Sequence, residues 1–209
     1  MKRVMLVSLM AALFVMSTAG AQEEKERVAQ FILDFRPGSF LFSPDMDGFT
    51  VTDGTLSETV DGTASYTPSV NAGVGFDFGT VNLNITGGLG YLYNNAFHGG
   101  FAQFDIATLF ELVNGKLRMG PHVGLVGLGD ANWDDAGQID LEGNGGFKGG
   151  LTLHAGGQRV AFLANIDFVD ASYDIKTRGG WSATDGNGTT VTELDMSGVI
   201  IDLGLILRF

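Results

Sequence analysis

The chain has 209 residues with 12 Lys and Arg against 24 Asp and Glu, a formal net charge of −12, which argues against nucleic-acid binding because phosphate contacts need clustered basic side chains. Only 17% of the residues are charged and 32 are Gly, whereas an average soluble domain has about 25% charged residues. The sequence has no Cys, which excludes disulfides, thiolate metal sites and a lipidated cysteine anchor.

The N-terminus has the pattern of an export signal. Lys2 and Arg3 precede an apolar run over residues 4–16, and the small residues at 19–21 match an A-x-A cleavage site. The run is too short for a transmembrane helix, which needs about 20 residues. We therefore predict a secretory signal peptide over residues 1–21 and a single domain over residues 22–209.

The rest of the chain alternates between apolar and polar residues with a period of two, which is typical of β-strands. In residues 81–93, for example, Val81, Leu83 and Ile85 alternate with Asn82, Asn84 and Thr86. The pattern predicts eight strands, at about residues 31–42, 70–78, 81–93, 102–112, 117–125, 147–155, 160–168 and 199–209.

Two prolines mark expected irregularities in these strands. We call the apolar residues of a strand its apolar row and the polar residues between them its polar row. In the first strand the apolar row changes from odd-numbered to even-numbered positions at Pro37 and Gly38, which predicts a β-bulge there. Pro121 lies within a predicted strand and lacks the N–H that a ladder needs, so we also predict a local bulge at that position.

The connections between the predicted strands are of two kinds. Tight turns at 79–80, 113–116 and 156–158 alternate with polar connections at about 43–67, 94–100, 129–145 and 177–192, of which three are long. The first of these is rich in Thr, and the third is acidic. Short turns on one side and mostly long loops on the other are typical of outer-membrane barrels.

The composition of the two rows indicates which face points outward. The polar row consists mostly of Gly, Asn, Asp and Thr, whereas a water-facing surface has about 25–35% charged residues. Aromatic residues of the apolar row concentrate near the strand ends, around an aliphatic middle. This pattern favours an apolar face in lipid with aromatic belts at both interfaces, over a soluble exported barrel.

The last strand ends with a recognisable motif. Asp202, Gly204, Leu207 and Phe209 resemble the C-terminal signal by which the outer-membrane assembly machinery recognises its substrates, although Leu207 stands where an aromatic residue is common. The whole mature chain resembles the small eight-stranded outer-membrane barrels of the OmpA-transmembrane-domain, OmpX and OmpW types.

This resemblance implies an all-β fold, an eight-stranded antiparallel up-and-down transmembrane β-barrel in the outer membrane of a Gram-negative bacterium. It also implies that the chain reaches that membrane through the periplasm, with both termini on the periplasmic side. The expected partners are outer-membrane lipid and lipopolysaccharide, together with the assembly machinery.

The inward row of such a barrel would carry many charges. An eight-stranded barrel has room for side chains and little more, and buried charges are costly unless they are paired. We therefore expect an ion-pair network that fills the lumen, made by Asp34, Arg36, Asp77, Asp105, Glu111, Arg118, His122, Lys148, His154, Asp167, Asp202 and Arg208.

Three functions fit this sequence, and it predicts no cofactor for any of them. The favoured function is a non-enzymatic outer-membrane protein that presents acidic loops for envelope structure or surface binding. The first alternative is a narrow small-solute channel, and the second is a lipid A-modifying enzyme.

The histidines do not match the pattern of the lipid A deacylases, which have a His-x-Ser pair on a strand. None of His98, His122 and His154 is followed two places later by Ser. We expect His98 to be a solvated loop residue.

A calcium site in the third long connection is a weaker hypothesis. Asp130, Asn132 and Asp134 begin like an EF-hand loop, but the expected Gly is replaced by Asp135. A solvated acidic loop is the favoured interpretation of this segment.

Overall fold

The computed structural model describes residues 29–113, 116–133 and 139–209. The predicted signal peptide, the first residues of the mature chain and the centre of the predicted 113–116 turn lie outside these ranges. The described residues form fifteen antiparallel strands and one short 3-10 helix, so the prediction of an all-β fold is confirmed. No described helix is both long and apolar enough to cross a membrane.

The strands are, in chain order, β1 (Ala29–Phe42), β2 (Thr50–Thr52), β3 (Ser57–Thr59), β4 (Ala64–Tyr66), β5 (Ser69–Asp77), β6 (Val81–Tyr93), β7 (Phe97–Val113), β8 (Leu117–Trp133), β9 (Ile139–Gly143), β10 (Gly145–Gly156), β11 (Val160–Asp170), β12 (Ser172–Thr177), β13 (Ser182–Thr184), β14 (Glu193–Asp195) and β15 (Gly198–Arg208). The 3-10 helix η1 covers Pro44–Met46.

The long strands are hydrogen-bonded in a closed circuit. β1 pairs with β5 on one side and with β15 on the other, and the circuit continues through β6, β7, β8, β10 and β11 back to β15. A sheet whose first strand bonds to its last has no free edge and forms a barrel. The other seven strands lie within the connections, which is why the structure has more strands than the eight predicted.

The two predicted irregularities have different outcomes. The register of β1 against β15 shifts between Phe35 and Gly38, so the bulge predicted at Pro37 and Gly38 is confirmed. The bulge predicted at Pro121 is wrong, because the register of β7 against β8 is the same on both sides of it, from Ala107 to Phe110. Pro121 has no N–H to donate, so the pairing of β7 with β8 is interrupted there, but β8 contains no extra residue.

The second long-side connection is shorter than predicted. β7 begins at Phe97, so only residues 94–96 connect it to β6 rather than 94–100. The Asn94 side chain makes this tight turn possible, since its Oδ1 accepts the backbone N–H groups of Ala96 and Phe97, both at 2.9 Å. His98 is therefore a half-buried strand residue whose ring lies 5.8 Å from that of Tyr91, and the expectation of a solvated loop residue is wrong.

The two faces of the barrel differ sharply in polarity. Leu89, Phe147 and Phe168 point outward and are each 71% exposed. Asp167 and Asp202 point inward and are 0% and 3% exposed. The sheet thus presents its apolar row to the surroundings and encloses its charged row.

The connections opposite the tight turns fold into a compact unit, which we call the cap; it comprises η1, β2–β4, β9 and β12–β14. Its interior is apolar, and Trp133 and Phe97 contribute to it from the ends of β8 and β7, with ring centroids 5.4 Å apart. Phe97 also packs edge-on against Tyr173 at 5.9 Å. Fully buried cap residues include Met46, Phe49, Val51, Val60, Leu141, Ala183, Leu194 and Met196. The cap therefore has a hydrophobic core of its own at one end of the barrel.

Candidate functional site: the charged interior of the barrel

The inward rows bring most of the predicted interior charges into the barrel. Ten of these residues are buried: Asp34, Arg36, Asp105, Arg118, His122, Lys148, His154, Asp167, Asp202 and Arg208. Asp77 and Glu111 lie near the tight turns and are half-buried.

Arg36 is the centre of the largest cluster. Its Nη2 donates to Asp34 Oδ2 at 2.6 Å and to Asp105 Oδ2 at 3.2 Å, and its Nη1 donates to Asp202 Oδ2 at 3.0 Å. Nε completes a two-pronged contact with Asp34. The planar guanidinium has enough donors to serve three carboxylates at once, which a lysine cannot do in this geometry.

Lys148 joins this cluster from the far side of Asp105. Its Nζ lies 2.9 Å from Asp105 Oδ1, although Lys148 is on β10 and Asp105 is on β7. Gly124 of β8 lies between them in register with both. A Cβ at this glycine would overlap Asp105 Oδ1 and approach Lys148 Cε to 3.1 Å, so the glycine leaves the space in which the ion pair forms.

The same arrangement joins His122 to Asp167. His122 Nε2 lies 2.9 Å from Asp167 Oδ1, and Gly150 of β10 is the register partner of both residues. A Cβ at Gly150 would approach Asp167 Oδ1 to 2.5 Å. Both side chains are almost completely buried. The two atoms are close but not aligned as a hydrogen bond, and neither carboxylate oxygen of Asp167 has a hydrogen-bond partner within the described residues.

A third pair of this kind consists of two amide side chains. Gln103 Nε2 donates to Asn71 Oδ1 at 2.7 Å across Gly88, the register partner of both.

Further polar side chains donate to the carboxylate of Asp202 at the edge of the Arg36 cluster. The Ser39 hydroxyl donates at 2.5 Å and Asn165 Nδ2 donates at 3.0 Å. Asp202 is thereby surrounded by donors, as a buried carboxylate requires.

Two small cavities border the cluster, one on each side. One, of about 30 Å³, lies beneath the cap and is mainly apolar, with Leu92, Phe101, Val126 and Met196 in its wall and Lys148 and Asp202 at its floor. The other, of about 20 Å³, lies toward the tight turns and has Arg36, His122 and His154 in its wall. Each volume has room for one or two water molecules.

The interior histidines do not form a nucleophile–base pair with a serine in the described part of the chain. His122 contacts Asp167, and His154 Nδ1 contacts Arg208 Nη2 at 2.8 Å. The buried hydroxyl of Ser39 contacts Thr67 and Asp202.

The other predicted site residues are not brought together. Asp202 of the C-terminal motif belongs to the Arg36 cluster, whereas Leu207 and Phe209 lie on the outward row. Asp130 and Asn132 are exposed near the end of β8, and Asp134 lies outside the described residues. No group of three or more potential metal ligands occurs in the described ranges. Calcium binding there stays the weaker of the two hypotheses for this segment.

The cap supplies the residues that sequence reasoning missed. Its segments are polar on average, so isolated apolar residues such as Met46, Val60 and Leu194 gave no periodic signal.

Two titratable groups of the cap have shifted pKa values. Burial raises the pKa of Tyr173 in the cap core, and the negative charge of Asp130 raises it further. On the outer side of the cap, the hydrogen bond to Glu142 raises the pKa of Lys176.

Comparisons with known proteins give similarity at the level of solved structures. No family model and no curated protein matches the sequence. One similar structure is the crystal structure of Neisserial surface protein A (NspA). The alignment of the two covers 89% of this chain and 100% of the NspA chain, with 10% sequence identity and a TM-score of 0.43. Similarity at this level does not indicate a shared family or function.

Proposed function

We propose that this protein is an integral outer-membrane β-barrel of a Gram-negative bacterium, with eight membrane-spanning strands, an interior plugged by ion pairs and a cap at the cell surface. Its role is non-catalytic, in envelope structure or in binding at the surface through the cap. The observation that carries the proposal is the inverted polarity of the barrel, with charges inside and apolar side chains outside.

The polarity supports a lipid environment for a simple energetic reason. Outward residues such as Leu89, Val123 and Ile166 are 71%, 62% and 58% exposed. A continuous apolar surface around a barrel is unfavourable in water and typical of a membrane-facing or partner-facing surface. In lipid the same side chains are solvated by acyl chains, and the closed ladder leaves no backbone edge unsatisfied.

Aromatic contacts at both ends of the outward face fit two membrane interfaces. At the tight-turn end, Phe31 packs against Phe209 with ring centroids 6.1 Å apart. At the cap end, Phe40 packs against Tyr66 at 5.4 Å, and the Tyr66 hydroxyl donates to the Pro37 carbonyl at 2.6 Å. Tyrosine is favoured at interfaces because its ring is apolar and its hydroxyl can bond.

The interior favours a plug over the two alternative functions. The Arg36 cluster separates the two small cavities, which argues against a narrow solute channel. His122 does contact a carboxylate, as a catalytic histidine would, but no serine of the described ranges hydrogen-bonds to His122 or His154, and this argues against the constellation that a lipid A-modifying hydrolase would use.

Single-cysteine labelling tests both the location and the orientation, because the natural chain has no Cys to interfere. We would place cysteines at the exposed cap positions Asp53 and Asn187, and at Thr80 and Gln158 in tight turns. A membrane-impermeant maleimide should label the two cap variants in intact cells and the turn variants only after the envelope is opened. Labelling of turn variants in intact cells, or no membrane-bound protein at all, would contradict the proposal.

A further inference from the structure

The Thr-rich first connection supplies two strands of a three-stranded sheet on the cap. β2 pairs with β3 on one side and with β13 on the other. Each strand is three residues long and has Ser or Thr at both ends: Thr50-Val51-Thr52, Ser57-Glu58-Thr59 and Ser182-Ala183-Thr184. Because side chains alternate along a strand, the two ends of each strand face the same side of the sheet.

The register places these hydroxyl side chains in two rows, which we call the hydroxyl grid. The rows of register partners are Thr59, Thr50 and Thr184 in one, and Ser57, Thr52 and Ser182 in the other. A bridge between Thr184 and Thr190 extends the first row by a fourth threonine. Neighbouring partners are about 5 Å apart across the strands, and the two rows are about 7 Å apart along them. The cap therefore presents hydroxyl groups at regular intervals.

The opposite side of the sheet anchors the hydroxyl grid to the cap core. Val51 and Ala183 are 0% and 1% exposed and belong to that core. On the grid side, Thr50 Oγ1 contacts Thr59 Oγ1 at 2.8 Å. The hydroxyls of Ser57 and Ser182 have no hydrogen-bond partner among the described residues, so both can donate to and accept from a bound molecule. The grid is thus a pre-organised surface with free hydrogen-bonding groups, which lowers the entropic cost of binding.

The charge around the hydroxyl grid restricts the kind of partner. Residues 50–59 and 182–190 contain no Lys or Arg, and Asp53 and Asp185 directly follow β2 and β13. Oδ1 of each accepts two backbone N–H groups of its own turn at 2.8–3.0 Å, and these bonds lower the pKa of both carboxyls. The two negative charges would repel an anionic partner. A cationic partner would compete with the bonds that both carboxylates already make.

A neutral molecule with many hydroxyl groups fits all of these conditions. Its hydroxyls can donate to and accept from Ser and Thr, and the separate weak contacts of a polymer with repeated hydroxyls add up along its length. We propose that the hydroxyl grid binds a neutral polysaccharide. This inference rests on the proposed position of the cap at the cell surface, and it names the class of partner for the surface binding proposed above.

Affinity electrophoresis of the purified protein tests this inference independently of the membrane orientation. The mature protein in neutral detergent would run through native gels that contain dextran, mannan, galactan or hydroxyethyl cellulose, with dextran sulfate as the anionic arm and diethylaminoethyl-dextran as the cationic arm. The dependence of mobility on polysaccharide concentration gives the dissociation constant.

Two double variants of serine provide the comparison. Ser57→Ala with Ser182→Ala removes two hydroxyls of the grid and should raise the dissociation constant about tenfold, since two neutral hydrogen bonds to the polysaccharide are lost. Ser172→Ala with Ser197→Ala is the matched control, because these hydroxyls contact Asn144 and Asp170 away from the grid. The control variant should bind as the natural protein does.

Each outcome decides for or against the hydroxyl grid. Retardation by at least one neutral polysaccharide, weakened only in the Ser57 and Ser182 variant, supports it. No retardation by any neutral polysaccharide overturns it, as does equal binding by both double variants or stronger binding of either charged dextran than of dextran. If the grid variant loses the protease resistance of the cap, Ser57→Ala alone takes its place, with an expected loss of about threefold. Failure of binding by a protein whose cap is labelled in intact cells would remove this inference and leave the proposed location standing.

Discussion

Lys148 and Asp105 form an ion pair of 2.9 Å across a strand that belongs to neither of them. The strand between them, β8, contributes Gly124, which has no side chain to separate the two. His122 and Asp167 meet across Gly150 in the same way, and Gln103 and Asn71 meet across Gly88. Inward glycines therefore decide which polar side chains can contact each other in this narrow barrel.

The first prediction concerns the space above Gly124. A Cβ at Gly124 would approach Asp105 Oδ1 to 2.3 Å and the Phe104 carbonyl oxygen to 2.4 Å. Gly124→Ala should therefore displace the Asp105 carboxylate from Lys148 and lower the free energy of unfolding by about 1–3 kcal/mol, as overpacking of a filled interior does. The temperature at which the heat-modifiable gel band changes mobility would report the loss. Gly127→Ala on the same strand is the control, because a Cβ there meets no atom within 4 Å. Equal behaviour of the two variants would contradict the role assigned to Gly124.

The second prediction concerns Arg36. Arg36→Met should leave Asp34, Asp105 and Asp202 without their shared donor, and breaking a buried charge cluster in this way costs about 3–5 kcal/mol. Urea unfolding in detergent or lipid vesicles, followed by the far-ultraviolet circular dichroism of the strands, measures the change; both tryptophans lie in the cap and would report the cap instead.

Arg178→Met provides the comparison for Arg36. It removes an exposed pair with Asp140 in the cap, where solvent screens the interaction, so the unfolding midpoint should hardly move. An Arg36 variant as stable as the natural protein would show that the cluster does not stabilise the barrel.

The third prediction separates the cap from the barrel. Phe97→Ala removes a fully buried ring that contacts Trp133 and Tyr173, and truncation of a buried Phe costs about 3–5 kcal/mol. Because the loss falls in the cap core, protease should cut the cap while the barrel keeps its compact gel mobility. Leu56→Ala, at a 61% exposed cap position, should stay resistant. Loss of the compact barrel band in Phe97→Ala would mean that the cap does not have a separate core.

The fourth prediction concerns conductance. With the Arg36 cluster between two cavities of about 30 and 20 Å³, the natural protein should give no stable single-channel openings in a planar bilayer. The double variant Arg36→Ala, Asp105→Ala removes two charged side chains from the cluster and should increase the frequency of brief openings. Well-defined openings of the natural protein would favour the narrow-channel alternative.

The strands of the barrel were accessible to sequence reasoning because their signal is local. The alternation around Val81 and Ile85, and the change of row at Pro37 and Gly38, need only neighbouring residues. The sequence did not show which of the inward polar residues contact each other. Contact between His122 and Asp167 depends on the register of two strand pairs at once, and the sequence shows only that both residues belong to inward rows.

The cap was hidden for a different reason. Its strands are three to six residues long, too short to establish a period, and its core residues are scattered among Gly, Asp and Thr. Leu194 and Met46 become buried because the cap segments fold against each other over the barrel end, which is a tertiary effect. The polar composition of these segments therefore gave no indication of the packed unit, and the third connection in particular was expected to be a solvated loop.

Spin labels along β10 and β11 provide the most direct measurement of the polarity on which this account depends. With the protein in lipid vesicles, labels at Leu151 and Ile166 should be accessible to oxygen dissolved in the acyl chains and inaccessible to a water-soluble nickel chelate. Labels at Thr152 and Asn165 should report low oxygen accessibility, giving a period of two along each strand. Preferential access of the nickel chelate to Leu151 and Ile166 would contradict a lipid-facing apolar row.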